Sequence, residues 1–208
     1  AAYKEQTLKV TLVPLQGVLM PNVEDIQDEL NRIYRQAVVL WEVSIDERLK
    51  NYTGAVAIHN DLNSDVPYHA SMEAVIAAFK EGVRDKKTRY IFLTPKFSNE
   101  SVSGMVLGYM PFQMQYGFVE YHDGQTLKQL VRTLAHELGH GAFTLRHTFP
   151  PSEYNINDSY GNLMGYNDST HLAKFQWDDI HNSKAGSKEF ENADEAMEVK
   201  WGQLATIE

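Results

Sequence analysis

The sequence contains no cysteine among its 208 residues. Disulfide bonds, thiolate zinc sites and cysteine nucleophiles are therefore excluded, so a transition-metal site would need histidine or carboxylate ligands. Basic residues are also scarce, because 19 Lys and Arg stand against 28 Asp and Glu, giving a net charge of −9. Nucleic acids and anionic membranes select basic surfaces, and we expect neither as a partner.

Long apolar runs are missing as well. No stretch approaches the roughly 20 apolar residues of a transmembrane helix, so we expect no membrane span. The first residues, AAYKEQTLKV, lack the basic segment and apolar segment of a signal peptide. We therefore expect a domain cut from a longer chain.

Strand-like and helical patterns alternate along the chain. They predict strands at 8–15, 37–45 and 88–95, helices at 23–36, 69–85 and 126–143, short strands within 103–111 and 116–122, and a last helix within 177–186. This alternation indicates an α+β fold, that is, a mixed α/β layer structure. The length suits a single domain.

The helix at 126–143 carries the strongest chemical signal. Its apolar residues form one stripe, made of Leu127, Leu130, Val131, Leu134 and Leu138. His136 and His140 are four residues apart and so share a face, which lies well over about 100° from that stripe. One side of the helix is thus expected to pack in a core while the other presents two imidazoles to a cleft.

The segment HELGH has the H-E-x-x-H arrangement of zinc hydrolases. His136 and His140 can bind one zinc ion, which acidifies a bound water. Glu137 between them is placed to accept the proton of that water and to pass it to a leaving amine. A helix with an accidentally histidine-rich polar side is the alternative, but chance seldom produces this motif opposite an apolar stripe.

A catalytic zinc site needs a third protein ligand. His147 is the nearest candidate, seven residues after His140. In an unbroken helix it would lie about 10 Å further along the axis, so the chain must leave the helix after His140 and turn back. Gly139 and Gly141 permit a break near this point.

At these residues the sequence resembles the metzincin zinc peptidases, whose motif H-E-x-x-H-x-x-G-x-x-H is followed by a methionine turn. HELGH matches the first half of the motif, and NLMGY (162–166) matches the turn. The resemblance implies that Met164 forms an apolar floor beneath the metal and that Tyr166 approaches the zinc or steadies the oxyanion. The segment 171–182 resembles the helix after the turn. The stretch 133–182 looks most like the metallopeptidase domains of bacterial polymorphic-toxin and effector proteins.

Two positions depart from the family motif. Phe143 occupies the place of the glycine, and Arg146 occupies the place of the third histidine. Arginine is permanently charged and does not bind zinc. Either the loop carries one extra residue and His147 binds, or a carboxylate replaces it. The candidate carboxylates are Glu153, Asp158 and Asp168.

The resemblance implies a zinc-dependent endopeptidase in which His136, His140 and His147 hold one ion and Glu137 activates water, with Tyr166 assisting. A larger lobe of about 1–141, with a twisted mixed sheet and helices, would face a small irregular lobe of about 142–208 across the active-site cleft. A peptide or protein substrate would pair with an edge strand within 103–111. The resemblance to toxin and effector domains implies secretion or delivery outside the producing cell. It is also compatible with an inhibitory partner or a pro-segment.

Other interpretations stay open. A zinc-stabilised interaction or toxin-delivery module without turnover would need the histidines but not Glu137, and a zinc hydrolase of a non-protein amide would share the same chemistry. Asp61, Asn63 and Asp65 resemble half of a calcium loop, but the glycine at its sixth position is missing. We expect the other histidines to be surface or hydrogen-bonded residues rather than ligands; they are His59, His69, His122, His171 and His181.

Overall fold

The structure is a computed structural model that describes residues 3–58, 67–80, 85, 87–98, 106–148, 161–165 and 167–182. Its strands are β1 (Gln6–Pro14), β2 (Val39–Ile45), β3 (Thr88–Thr94), β4 (Gly108–Tyr109) and β5 (Tyr116–Glu120). Its α-helices are α1 (Val23–Tyr34), α2 (Ala70–Lys80), α3 (Leu127–Phe143) and α4 (Lys174–His181). None of the helices in this described part has both the length and the apolar character needed to cross a bilayer.

The five strands form one sheet in the order β2-β1-β3-β5-β4. Neighbouring strands are parallel from β2 to β5, and β4 alone runs antiparallel, against β5, at the edge of the sheet. Helix α1 connects β1 to β2, and helix α2 connects β2 to β3, which suits their place in a parallel sheet. The predicted mixed α/β fold is confirmed.

Apolar residues cover both faces of the sheet. On one face, Val10 of β1 and Ile91 of β3 pack with α1 and α3 in one core cluster. On the other face, Tyr90 and Phe92 of β3 pack with Phe79 of α2 in a second cluster. Helix α3, which carries the H-E-x-x-H segment, is thus held against a sheet whose opposite side is also packed.

The structure shifts several element boundaries from their predicted places, among them those of α1, β2 and α4. Helix α1 ends at Tyr34, and a 3₁₀ turn at Arg35–Ala37 follows it. Val38 then has a φ of 57°, so β2 starts at Val39 instead of residue 37. Helix α4 begins at Lys174, before the predicted segment 177–186, because the side chain of Gln176 accepts a hydrogen bond from the backbone N–H of Ala173 and so caps the first turn.

Candidate metal centre

Helix α3 begins with a capping box and runs straight into the core. The side chain of Thr126 accepts from the backbone N–H of Gln129, and the Gln129 side chain accepts from the N–H of Thr126. This exchange satisfies two of the amides that a helix start leaves unpaired. The apolar stripe packs in the core as predicted, but His136 and His140 are also fully buried.

The chain leaves helix α3 after His140, as predicted, and the helix passes Gly139 and Gly141 without a break. It continues to Phe143 and ends at Thr144, which has a φ of 58° and donates its N–H to the carbonyl of His140. A methyl group built on Gly139 would lie 2.7 Å from the sulfur of Met164, and one built on Gly141 would collide with Met110. The glycines therefore let two methionines approach the helix, and the left-handed residue Thr144 makes the turn.

The turn at Thr144 brings His147 back to the two helical histidines. The Nε2 atoms of His136 and His140 are 3.0 Å apart, and each lies 3.2 Å from Nε2 of His147. All three side chains are buried. Within the described part of the chain they form the one group of histidine, cysteine or carboxylate side chains positioned to hold a metal ion.

The hydrogen bonds of two of the rings determine where their protons lie. Nδ1 of His136 lies 2.8 Å from the carbonyl oxygen of Leu163, and Nδ1 of His140 lies 2.6 Å from that of Leu145. A carbonyl only accepts, so each Nδ1 carries the proton and each Nε2 is left with its lone pair when the ring is neutral. The lone pairs of both rings therefore point to one place.

Burial keeps these rings neutral. Loss of solvent lowers the pKa of His136 and of His147 well below its ordinary value, and lowers that of His140 to about 4. The positive charge of Arg132 lowers the pKa of all three rings further. At neutral pH the site thus offers neutral imidazoles, which is the form that binds a metal.

The geometry of the three nitrogens fits zinc. Ligand nitrogens at 2.0–2.1 Å from a tetrahedral ion are about 3.3–3.4 Å apart, close to the separations of the three Nε2 atoms. The Nε2 atoms of His136 and His140 lie 3.0 Å apart and, with both protons on Nδ1, have no hydrogen to share between them, so a cation is the group that satisfies both. The carbonyls of Leu163 and Leu145 accept hydrogen bonds from His136 and His140 and so orient the two rings. Zinc-binding histidines in proteins are oriented by the same kind of outer hydrogen bond.

Glu137 is fully buried beside the three histidines. The edge strand β4 passes against it at Gly108, where an added methyl group would lie 2.5 Å from Oε1 of Glu137. Burial first, and then the field of Glu137, raise the pKa of Tyr109 on the same strand. The carboxyl group is thus enclosed between α3 and β4, which restricts its orientation.

The loop at 161–165 packs against helix α3 and contacts His136 through the carbonyl of Leu163. Met164 is fully buried against Gly139, its N–H donates to the side chain of Asn162, and its carbonyl accepts from the N–H of Thr148. The side-chain amides of Asn162 and Gln176 bond to each other in both directions, at 2.8 and 3.0 Å. Helix α4 therefore anchors the loop through a buried pair of amides.

Arg132 joins helix α3 to the same loop. Its guanidinium donates to the carbonyl of Leu163 at 3.0 Å and to that of Gly165. The Leu163 carbonyl also accepts from His136, so one oxygen serves the arginine and the metal-site histidine. Arg132 was missed in the sequence, although its place four residues before His136 puts both on one helix face.

A cleft of about 430 Å³ opens next to the centre. Leu107, which precedes Gly108, forms one side, and Thr133, one turn before Glu137, forms another. Lys128, Arg132 and Asp168 also line it. The cleft offers space for a bound group along α3 and beside the edge strand.

Three predicted alternatives for the third ligand have different outcomes. Asp168 is exposed and lines the cleft instead of joining the histidines. Glu153 and Asp158 lie outside the described residues, as do Tyr166 and the calcium candidates Asp61, Asn63 and Asp65.

The structure also places the residues that depart from the metzincin motif and some of the remaining histidines. Phe143 is buried against Tyr34 and Trp41. His69, His122 and His181 each have a hydrogen-bond partner, namely Ser71, the carbonyl of Asp123 and the carbonyl of Ala37.

Comparison with known proteins supports the fold. No family model matches the sequence, and no curated protein matches it. A solved zinc-dependent peptidase from Methanocorpusculum labreanum is similar with a TM-score of 0.51 and 15% identity, covering 82% of this chain and 99% of that one. An archaemetzincin from Methanopyrus kandleri is 18% identical with a TM-score of 0.44, covering 86% and 91% of the two chains. At these identities the first likeness shows a shared fold.

Proposed function

We propose that the protein is a zinc-dependent peptidase of the metzincin type, acting as an endopeptidase. The observation that carries this proposal is the convergence of three buried, neutral Nε2 atoms at 3.0–3.2 Å from one another. The solved structure that shares the fold is described as a zinc-dependent peptidase, which supports the same reaction class.

His136, His140 and His147 would hold the ion, and Met164 would form the apolar floor below it. Zinc bound by three protein ligands supplies Lewis acidity towards a water and a substrate carbonyl. Glu137 takes a proton from the water on a carboxylate oxygen and returns it to the nitrogen of the leaving amine. Its enclosure by Gly108 of β4 holds that carboxylate in one place while the proton moves.

The edge strand β4 gives the substrate a place to bind. A peptide that adds to this edge would pass beside Glu137, because Gly108 contacts that carboxylate. One substrate side chain would then enter the cleft lined by Leu107 and Thr133. Tyr166, the proposed oxyanion partner, follows Gly165, whose carbonyl Arg132 holds.

Metal analysis combined with a peptide library, with and without chelator, tests the proposal. We expect about one zinc per chain and cleavage that chelator abolishes. The Glu137→Ala variant should keep the zinc and lose cleavage by a factor of about 10² or more, because the proton acceptor is gone. His136→Ala should lose both zinc and cleavage.

Cleavage by Glu137→Ala at the wild-type rate would refute the assigned role. Zinc binding without turnover of any peptide would instead indicate an interaction module or a hydrolase of a non-protein amide. The same library, extended with non-peptide amides, separates these two outcomes.

A further inference from the structure

A second cavity, of about 200 Å³, lies where the start of the sheet meets the ends of α3 and α4. Leu8 of β1, Trp41 of β2 and Arg89 of β3 form its floor, and Phe143 and Ile180 form its wall. None of the described residues that line it belongs to the metal centre or to the adjoining cleft.

Two residues that line this cavity carry a buried hydrogen-bond donor with no acceptor among the described residues. Trp41 is 2% exposed, and its Nε1 makes no hydrogen bond within the described part of the chain. Nε of Arg89 is likewise buried with no described group as its partner. Burying a donor without an acceptor is unfavourable, so two such donors on the lining of one cavity indicate that an acceptor belongs there.

The charge of the cavity is positive. Arg89, Lys87 and Lys9 line it, and none of its described lining residues is acidic. Lys9 is exposed and pairs with Glu42 at 3.7 Å, which leaves Arg89 as the inner cation. Burial lowers the pKa of Arg89, and among the described residues no carboxylate forms an ion pair with it.

We propose that this cavity binds a small carboxylate with an apolar body. The carboxylate accepts hydrogen bonds from the guanidinium of Arg89 and the indole N–H of Trp41. The apolar body packs against Leu8, Phe143 and Ile180. The single inner cation balances one negative charge, so a monoanion suits the cavity better than a phosphate dianion. The inference is independent of the proposed peptidase activity.

Two sources of such a carboxylate exist. It belongs either to a free small molecule or to the acidic stretch of this chain that follows Asn182, a residue at the rim of the cavity. That stretch contains Glu189, Glu191, Asp194 and Glu195. Both sources present a carboxylate to the cavity, and an experiment can distinguish them.

Titration of the full chain with benzoate, followed through the indole N–H resonances in ¹⁵N-correlated NMR spectra, tests the inference. The Trp41→Phe variant identifies the Trp41 signal by its loss. We expect saturable movement of that signal, and binding that is at least about tenfold weaker in Arg89→Gln, because a charged hydrogen bond is lost. Arg35→Gln removes an equal charge from an exposed position and should bind as the wild type does.

Several outcomes would overturn the proposal. They are a Trp41 signal that benzoate does not move, equal affinity in Arg89→Gln, and a stronger response to inorganic phosphate than to benzoate. If Arg89→Gln does not fold, Lys87→Glu at the exposed rim should still weaken benzoate binding severalfold, and unchanged binding would count against us.

A chain with Glu189, Glu191, Asp194 and Glu195 changed to the corresponding amides distinguishes the two sources. If the carboxylate comes from this stretch, the Trp41 signal of that variant moves without added ligand, and benzoate binds more tightly. If the ligand is free, the variant and the wild type give the same signal and the same affinity. Either result supports a carboxylate site.

Discussion

At the scale of single residues, Gly108 of β4 lies close against the carboxyl group of Glu137. A side chain at this position of β4 would collide with the carboxyl group of Glu137. Gly108 has ordinary strand geometry. A glycine is needed here because it leaves space for the carboxyl group, and its backbone freedom is not used. The position of the carboxylate therefore depends on a residue outside helix α3.

We predict that Gly108→Ala lowers kcat by a factor of about 10² while zinc content stays unchanged. The new methyl group would lie 2.5 Å from Oε1 of Glu137, so the carboxylate must move from its place beside the histidines. Measurement of kcat and of bound zinc in the same preparation checks this expectation.

Gly117→Ala is the matched control for this substitution. Gly117 lies on the neighbouring strand β5, and a methyl group there would press on the flexible tip of Ile91 and on Met110, away from Glu137. We expect it to lower stability and to leave kcat nearly unchanged. Equal losses of kcat in the two variants would show that Gly108 matters only for folding.

At the scale of elements, the sequence predicts helix α3 to within one residue and places His136, Glu137 and His140 on it. Helical periodicity is a local property, and so the pattern is sufficient for that result. The turn that returns His147 is different, because Gly139 and Gly141 permit a break but nothing local indicates Thr144 as the turn residue. The two glycines lack a Cβ and so accommodate Met164 and Met110, which are distant in sequence. Likewise, nothing near Gly108 in the chain indicates that Glu137 lies against it.

The contact between α3 and the loop at 161–165 gives a second prediction. Arg132 and His136 donate to the same carbonyl, that of Leu163, so the arginine fixes the oxygen that orients the histidine. We predict that Arg132→Gln weakens zinc binding by about 10–100-fold, the usual effect of removing an outer partner of a metal ligand. Competition with a chelator of known affinity measures the change.

Arg132→Lys provides the comparison for that experiment. A lysine keeps the charge but replaces the planar guanidinium, whose Nη2 donates to the carbonyls of both Leu163 and Gly165, with a compact ammonium group. We expect an intermediate zinc affinity. If Arg132→Gln binds zinc as tightly as the wild type, the loop is held by the Asn162–Gln176 amide pair without help from the arginine.

At the scale of the whole molecule, the buried histidines link folding to pH. In the unfolded chain a histidine has a pKa of about 6.5, whereas burial lowers the pKa of His140 in the metal-free fold to about 4. Above a pH of about 6.5, His140 is neutral in both the folded and the unfolded chain, and its burial then costs no stability through protonation. As the pH falls from 6.5 to 4 the unfolded state binds protons that the folded state does not, and so stability is lost over that window.

We therefore predict that the metal-free protein loses about 3 kcal/mol of unfolding free energy between pH 6.5 and 4 through His140 alone, since each unit of pKa difference corresponds to about 1.4 kcal/mol. Urea unfolding at several pH values measures the loss, and the His140→Leu variant should show a smaller one. Saturating zinc should raise stability at pH 7, and this gain should vanish towards pH 4, because protons compete for the same nitrogens. A metal-free protein whose stability is level across this range, or equally steep in His140→Leu, would mean that His140 is not neutral and buried in the folded chain.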